Sequence, residues 1–231
     1  MLILVTGASK GIGFEMVKRF SRTPGTLVIA VSRNIDPVNR YVKSNKSHAV
    51  LAVKADITVA KDRKKIAAVI SKLEMPLSVL INNAGSLVKK PFKKISEQEL
   101  EGVYRANLFA PFLLIQALLP FMHKQNAHIV NISSMGGFQG SSKFPGLSAY
   151  SSSKAALSGL TECLAEELKP EGIAVNCLAI GAVQTEMLSK AFPGYKAPLQ
   201  AADMAAFVCD FALKGKTYFN GKIIPVSSST P

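Results

Sequence analysis

The sequence is poor in the residues that build metal sites and disulfide frameworks. Its few cysteines and histidines are Cys163, Cys177, Cys209, His48, His123 and His128. Neither set has the spacing of metal ligands, and unpaired cysteines in apolar segments are typical of buried thiols in a reducing compartment. We therefore expect no bound metal and a cytoplasmic location.

Long apolar runs are missing as well. The longest, Leu108 to Met122, is interrupted by Pro111 and Gln116 and is too short to span a bilayer, so we predict a buried helix there. No charged segment precedes the first apolar run, which argues against a signal peptide. We expect no membrane partner. Without repeats or linkers, residues 1–231 are predicted to form one domain.

Acidic residues are scarce, with 15 Asp and Glu against 28 Lys and Arg and a formal net charge of +13. Such an excess steers anionic ligands, attracts nucleic acid or solubilises the surface. The basic residues are spread over many segments and accompany no nucleic-acid-binding motif. We therefore predict no nucleic-acid partner, although a basic scaffold protein stays open as an alternative.

Seven short apolar runs alternate with segments of helical periodicity. The runs are Leu2 to Val5, Leu27 to Val31, Ala49 to Val53, Leu77 to Ile81, His128 to Ile132, Ile173 to Leu178 and Lys222 to Val226. This alternation predicts an α/β fold of the Rossmann type, a doubly wound, seven-stranded, mostly parallel sheet with helices on both faces. Ligands of such sheets bind beyond the carboxyl ends of the strands.

A glycine-rich segment follows the first run and precedes a helical segment. Its glycines are Gly7, Gly11 and Gly13, which differs from strict G-x-G-x-x-G spacing. A strand, a glycine loop and a helix in this order present free N–H groups and a positive dipole end to a pyrophosphate. Many glycine turns serve the backbone alone, but this context predicts nucleotide binding.

Tyr150 and Lys154 lie four residues apart, a spacing that places them on one helix face. A free phenol has a pKa near 10, and lowering it by ~3 units requires roughly 4 kcal/mol. An ammonium at ~5 Å supplies on the order of 3 kcal/mol at an effective dielectric of about 20. The helix dipole adds roughly 0.3–1 kcal/mol. The pair therefore suits a general acid, although the spacing also occurs by chance on solvated helices.

With these motifs in order, the chain resembles the short-chain dehydrogenase/reductase family, in its compact single-domain reductase branch. The resemblance covers nearly all of the chain. It is carried by the Thr6 to Gly13 loop, Asp56, Asn82 to Gly85, Asn107, Ser134, Tyr150, Lys154, Asn176, Gly181 and Thr185. Ile180 stands where the family pattern has proline.

The resemblance implies catalytic and cofactor-binding roles. The implied catalytic residues are Asn107, Ser134, Tyr150 and Lys154, with Ser133 as the neighbouring candidate for the serine. The implied cofactor-binding residues are Gly7, Ser9, Lys10, Gly11, Ile12, Gly13, Arg33, Asn34, Asp56, Ile57, Asn83, Ala84, Gly85, Tyr150, Lys154, Gly181, Val183 and Thr185. Asn107 is expected to hold a water that links Lys154 to solvent, and Pro111 leaves its carbonyl without a helical N–H partner; a simple helix kink is the alternative.

The choice of cofactor depends on the residues after the second strand. NAD-specific folds place an acid there, whereas NADP requires a cation for the 2′-phosphate. Here Arg33 and Asn34 follow the strand, the first acid is Asp36, and Lys10 adds a cation in the glycine loop. Basic residues at the positions of Lys10 and Arg33 resemble those of the NADP(H)-dependent members of the family. The alternative is that Lys10 and Arg33 are ordinary surface cations.

We expect a small-molecule carbonyl or alcohol as substrate, with loops near 135–148 and 186–199 around it. The loops do not distinguish a ketone or aldehyde from a 3-oxoacyl thioester. A catalytically silent NADP-binding regulator is the alternative of another class. The resemblance implies a homodimer or homotetramer. The chain end lacks the Asp-Gly-Gly of tetrameric relatives, which argues against the tetramer and leaves a dimer through the helices that contain Leu113 and Leu157.

Overall fold

A computed structural model describes residues 1–227; residues 228–231, at the chain end used in the oligomer prediction, lie outside the described part. The strands are β1 (Leu2–Thr6), β2 (Leu27–Ser32), β3 (Val50–Lys54), β4 (Leu77–Asn82), β5 (Ala127–Ser134), β6 (Ile173–Ile180), β7 (Val183–Gln184), β8 (Leu199–Gln200) and β9 (Ile223–Val226). The helices are α1 (Gly11–Phe20), α2 (Asp36–Asn45), α3 (Ala60–Lys72), α4 (Glu97–Tyr104), α5 (Ala110–Leu118), α6 (Ser148–Glu167), α7 (Glu186–Ala191) and α8 (Ala201–Lys214).

Seven strands form one sheet in the order β3-β2-β1-β4-β5-β6-β9, and every neighbouring pair is parallel. The seven predicted runs are these seven strands, so the predicted fold is confirmed. The third and seventh strands begin one residue later than their runs suggested. The order turns outward in both directions from β1 and β4, which creates the crevice in which ligands of such sheets bind.

The sheet is covered on both faces because its strands are apolar on both sides. One core lies between the sheet and helices α1, α2 and α8, and it includes Ile3, Met16 and Val208. The other lies under α3, α5 and α6, and it includes Leu4, Ile66 and Leu114. Side chains buried this completely fix the strand ends in place, which positions the loops that follow them.

Helices α4 and α5 are joined by a π-helical turn, Arg105–Phe109. With the 3₁₀ turn Leu119–Phe121 that follows, they form a 25-residue helix, Glu97–Phe121, long and apolar enough by length and composition to cross a membrane. Its inner face packs on the sheet as a core helix does. The prediction of a buried helix here was incomplete, because Phe109, Phe112 and Leu113 are exposed on its outer face.

A small parallel pair, β7 and β8, was not predicted. It joins the chain before α7 to the chain before α8, with Val183 paired to Leu199 and Gln184 to Gln200. Gln184 also accepts a hydrogen bond from the Ala197 amide (2.9 Å) and donates to Ser189 (3.0 Å). These contacts hold the two ends of the segment 186–198 close together.

Candidate active site

A cleft of about 880 Å³ opens at the carboxyl ends of the strands. The residues implied by the resemblance that line it are Gly7, Ser9, Lys10, Gly11, Ile12, Gly13, Arg33, Asp56, Ile57, Asn83, Ala84, Gly85, Ser134, Tyr150, Lys154, Gly181, Val183 and Thr185. Asn34 and Asn107 are not in the lining. The fold thus brings side chains from distant segments to one edge of the sheet.

The glycine loop at one end of the cleft has little room for side chains. Gly7 has φ +68°, and a Cβ there would lie 2.9 Å from the Ala84 Cα and 2.9 Å from the side-chain nitrogen (Nδ2) of Asn83. Helix α1 begins at Gly11 with no side-chain cap and no acid in its first turn. Its first N–H groups and dipole therefore face the cleft uncompensated, which suits the pyrophosphate of a dinucleotide.

The loop meets the end of β2, where Ser32 donates a hydrogen bond to Ser9 (2.9 Å). Arg33 lines the cleft, is exposed and forms no ion pair within residues 1–227. Asn34 is not in the lining, and its Oδ1 accepts from the Asp36 amide (2.9 Å) at the start of α2. Of these two predicted residues, Arg33 is therefore the one that lines the cleft.

Lys10 faces the cleft but is already paired. Its ammonium lies 2.9 Å from a carboxylate oxygen of Glu186, the first residue of α7. Glu186 also pairs with Lys190 (2.7 Å). Hydrogen bonds from Lys190 and from Lys10 lower the pKa of the Glu186 carboxyl to about 2. The sequence predicted Lys10 as a phosphate cation, whereas here it joins the glycine loop to α7.

Residues after β3 and β4 form the floor of the cleft. Asp56 accepts hydrogen bonds from the amide (2.9 Å) and hydroxyl (2.7 Å) of Thr58, which fixes the turn before α3. The Thr6 hydroxyl accepts from the Asn83 and Ala84 amides, each at 3.0 Å. The Asn83 side chain donates to the Thr6 carbonyl (2.9 Å). These bonds fasten the chain after β4 to the glycine loop, and they give Thr6, the first residue of the glycine-loop motif, a structural role that the sequence did not predict.

Tyr150 lies in the first turn of α6 and lines the cleft. Burial raises the pKa of its phenol, and a hydrogen bond with Ser134 acts in the opposite direction. Ser134 also lines the cleft, and its hydroxyl accepts from the Gly136 amide (3.2 Å). Ser133 is 1% exposed, and its hydroxyl donates to the Lys154 carbonyl (2.9 Å), which joins β5 to α6. The geometry therefore favours Ser134 as the serine beside the phenol.

Lys154 is 4% exposed, and its ammonium donates to the Ile132 carbonyl (2.7 Å). Burial lowers the pKa of this ammonium to about 8. We expected Lys154 to lower the tyrosine pKa, but the structure differs. Burial of the phenol outweighs any such effect, and the Tyr150 pKa is raised.

Asn107 lies behind the cleft, within the π-helical turn, and is fully buried. Its side chain accepts from the Ser86 amide (2.8 Å) and donates to the Ser86 carbonyl (2.9 Å) and to Ser153 (2.9 Å). A Cβ on Gly85 would lie 3.1 Å from the Asn107 Oδ1 and 3.5 Å from the Lys154 ammonium. Asn107 therefore joins the chain after β4 to α6, right beside Lys154. π-Helical turns are frequent at functional sites.

The two segments expected around the substrate meet at the other end of the cleft. Phe144 and Phe192 line it, and their rings are in edge contact with centroids 6.4 Å apart. The Lys89 ammonium lies 3.8 Å from the centre of the Phe192 ring. Thr185 caps α7 by accepting from the Leu188 amide (3.2 Å), which leaves its hydroxyl proton free to donate into the cleft.

The sequence did not predict site roles for three residues, Glu186, Ser86 and Ser153. Thr185 followed by Glu186 has the pattern of a helix start, an N-cap residue and an acid in the first turn. That pattern predicts α7 but not its partner, because Lys10 lies 176 residues away in the chain.

Comparisons with known proteins agree with this site. A family model described as short chain dehydrogenase matches residues 1–196. Mouse dehydrogenase/reductase SDR family member 4 is 30% identical over 99% of this chain and 86% of its own length. The structure of a 3-ketoacyl-(acyl-carrier-protein) reductase from Brucella melitensis with NADH is 26% identical, with a TM-score of 0.87 and coverage of 99% of this chain and 97% of that one. ElxO with NADP bound is 26% identical, with a TM-score of 0.86 over 98% and 96%.

The sequence match extends along most of the chain, and the cleft holds the motif residues at the expected edge of the sheet. The fold, the glycine cradle and the serine, tyrosine and lysine at the cleft all agree with an oxidoreductase that uses a nicotinamide cofactor and a small-molecule substrate. The chain belongs to the short-chain dehydrogenase/reductase family.

Proposed function

We propose that the chain is an NADP(H)-dependent reductase that converts a ketone or aldehyde carbonyl to an alcohol. The observation that carries this proposal is the placement of Tyr150 beside Ser134 at the cleft, where the two side chains are hydrogen-bonded and burial raises the pKa of the phenol. A phenol with a raised pKa stays protonated at neutral pH and can give its proton to a developing alkoxide, which is far more basic. The nicotinamide, when bound, supplies the hydride.

Each residue has a separate task in this scheme. Ser134 donates a hydrogen bond to the substrate oxygen and polarises the carbonyl. Tyr150 delivers the proton to that oxygen. Lys154, held by the Ile132 carbonyl, binds the nicotinamide ribose and keeps a positive charge near the phenol. Asn107 positions the chain after β4 against α6 and places a water beside Lys154 for proton return.

The test uses a panel of ketones and aldehydes, with NADPH oxidation followed by absorbance beside NADH. We expect turnover on at least one carbonyl, and we expect Tyr150→Phe to retain NADPH binding while losing nearly all turnover because the proton donor is gone. Ser152→Ala is the matched control, since this exposed hydroxyl on α6 bonds only within the helix. Near-normal turnover in Tyr150→Phe contradicts the scheme, and no turnover on any carbonyl favours a silent NADP-binding regulator.

The preference for NADP(H) rests on Arg33. Arg33 lines the cleft, its guanidinium forms no ion pair among the described residues, and a guanidinium can bind a 2′-phosphate by a two-point contact. Known structures of this fold carry either cofactor, NADP in ElxO and NADH in the Brucella reductase. We expect Arg33→Ala to weaken NADPH binding by about tenfold or more and to change NADH binding little. Arg40→Ala, one turn into α2, is the control, and equal effects of Arg33→Ala on both cofactors contradict the assignment.

A 3-oxoacyl thioester is the second candidate substrate. The Brucella structure belongs to a reductase of that class and matches this chain over nearly its full length. The same panel distinguishes the two candidates when it includes an acyl thioester beside the simple ketones.

A further inference from the structure

The segment between β4 and α4 carries the most exposed large apolar side chain of residues 1–227. Phe92 is 82% exposed. It lies in the sequence Lys89-Lys90-Pro91-Phe92-Lys93-Lys94, which contains four lysines and no acid. We call these six residues the basic loop. A single exposed apolar side chain needs no explanation by itself, but Phe92 has lysines on both sides and lies in a segment that borders the cleft.

The basic loop is held firmly at its base. Lys90 donates its amide to the Gly146 carbonyl (3.0 Å), and its ammonium pairs with Glu99. Glu99 also forms a capping box with Ser96 at the start of α4. A single 3₁₀ turn follows Pro91, closed by the Lys94 amide on the Pro91 carbonyl (2.8 Å). Phe92 therefore projects from an ordered turn, which reduces the entropy lost on binding.

Three ammonium groups of the basic loop are not neutralised by acids. Lys89, Lys93 and Lys94 form no ion pair with any acid of residues 1–227, and Lys89 lies over the Phe192 ring instead. The loop therefore combines one protruding aromatic ring with a local excess of positive charge.

The basic loop borders the substrate end of the cleft. Lys89 contacts Phe192, and Phe192 meets Phe144 inside the cleft. Tyr195, 42% exposed, and Lys196 follow on the same segment. The surface around this opening thus carries apolar side chains and cations together.

We propose that the basic loop docks the protein on an anionic lipid bilayer, with Phe92 among the acyl chains and the lysines on the headgroup phosphates. A protruding ring fits a soft lipid surface, whereas a protein partner needs a matching groove. Clustered lysines beside an aromatic side chain are the features that bind the negative surface of such a membrane. The expectation of no membrane partner considered only a spanning segment, and peripheral binding replaces it here.

Docking in this orientation turns the substrate end of the cleft toward the bilayer. Lipophilic carbonyl compounds dissolved in the lipid then have a short path to Tyr150. This consequence rests on the proposed function, whereas the docking itself does not.

Binding is measured by sedimentation of the full chain with vesicles of phosphatidylcholine alone or with added phosphatidylserine. We expect binding to the anionic vesicles that weakens as salt is raised. Phe92→Ser should lower the partition coefficient by about tenfold, since the ring loses its apolar contact. The double variant Lys93→Glu with Lys94→Glu should lower it by about tenfold or more.

The controls use groups at the opposite edge of the sheet. Tyr218→Ser removes a ring that is 78% exposed and lies before β9, at the amino ends of the strands. Lys43→Glu with Lys72→Glu makes the same change in net charge at the far ends of α2 and α3. Both controls should bind anionic vesicles nearly as the unchanged protein does, apart from a small common effect of net charge.

NADPH oxidation with a water-soluble carbonyl, without vesicles, is measured for each variant. We expect unchanged rates, which shows that the variants fold and separates docking from the proposed function. Absence of binding to anionic vesicles overturns the proposal, as does an equal loss in the control variants. Binding to a purified acidic acyl carrier protein or to nucleic acid, lost in Phe92→Ser while vesicles bind nothing, also overturns it.

Discussion

Lys154 is a charged residue in a place that disfavours charge. Burial moves the pKa of its ammonium from 10.5 to about 8, which corresponds to about 3 kcal/mol of unfavourable free energy for the folded protein at neutral pH. Below pH 8 both folded and unfolded chains hold this proton, and the full cost is present. Between about 8 and 10.5 the unfolded chain holds the proton and the folded chain does not, so stability rises with pH. The residue that serves the site thus lowers the stability of the fold.

We predict that the unfolding free energy of the unchanged protein, relative to Lys154→Met, rises by up to about 3 kcal/mol from pH 8 to 10.5. The comparison between the two proteins cancels the titration of the groups that do not interact with Lys154. Urea unfolding at several pH values measures it.

Lys169→Met, at an exposed lysine on the protein surface, is the control and should show no such trend. A constant difference between the unchanged protein and Lys154→Met across this range contradicts a lowered pKa of Lys154.

Residues in compact local motifs could be predicted from the sequence. Ser134, Tyr150 and Lys154 follow family spacing, and all three line one cleft. The sense of the Tyr150 pKa shift could not be predicted, because it depends on how much surrounding protein removes water from the phenol. The pairing of Lys10 with Glu186 could not be predicted either, since the two residues are far apart in the sequence and the fold of the whole chain brings them together.

Helix α7 and the segment after it form an element that borders the cleft. Its first residue, Glu186, pairs with Lys10 on the glycine loop, and Phe192 contacts Phe144 at the other end. Exposed ion pairs contribute modestly, so the pair biases the position of the element without locking it.

We predict that Glu186→Gln speeds dissociation of NADPH and NADH alike, by about two- to fivefold, because the neutral side chain holds Lys10 less firmly. Stopped-flow fluorescence of the bound reduced cofactor measures both rates. Glu166→Gln, in the exposed pair with Lys169, is the control. A selective gain in NADPH affinity would instead indicate that Glu186 competes with the 2′-phosphate for Lys10.

Elements with strong apolar periodicity were predictable, whereas elements defined by distant partners were not. All seven strands of the main sheet coincide with continuous apolar runs. Strands β7 and β8 have two residues each, too few for any pattern to appear. The proline at position 111 indicated a disturbed helix, and the disturbance takes the form of a π-helical turn at Arg105–Phe109.

At the scale of the whole molecule, the outer face of the long helix has no cover within the described chain. Phe109, Phe112 and Leu113 are 47%, 43% and 38% exposed and share one helix face. Adjacent apolar side chains of this size indicate an interface. We propose that two copies of the chain pair through this face.

We predict that Phe112→Glu dissociates the oligomer, since it would place a charge in the apolar contact. Light scattering after size-exclusion chromatography measures the mass. Met75→Glu, at a similarly exposed apolar residue before β4, should leave the mass of the assembly unchanged. An unchanged mass in Phe112→Glu excludes this face as the interface.

The segment from Glu186 to Phe192 touches both ends of one cleft, and this has a consequence for binding. The glycine loop holds one of its ends, and the aromatic pair Phe144 and Phe192 holds the other. Because one element contacts both regions, a change in its position at one end also affects the other end. In the proposed reductase, binding of the dinucleotide at the glycine loop would therefore alter binding of the substrate at the aromatic pair.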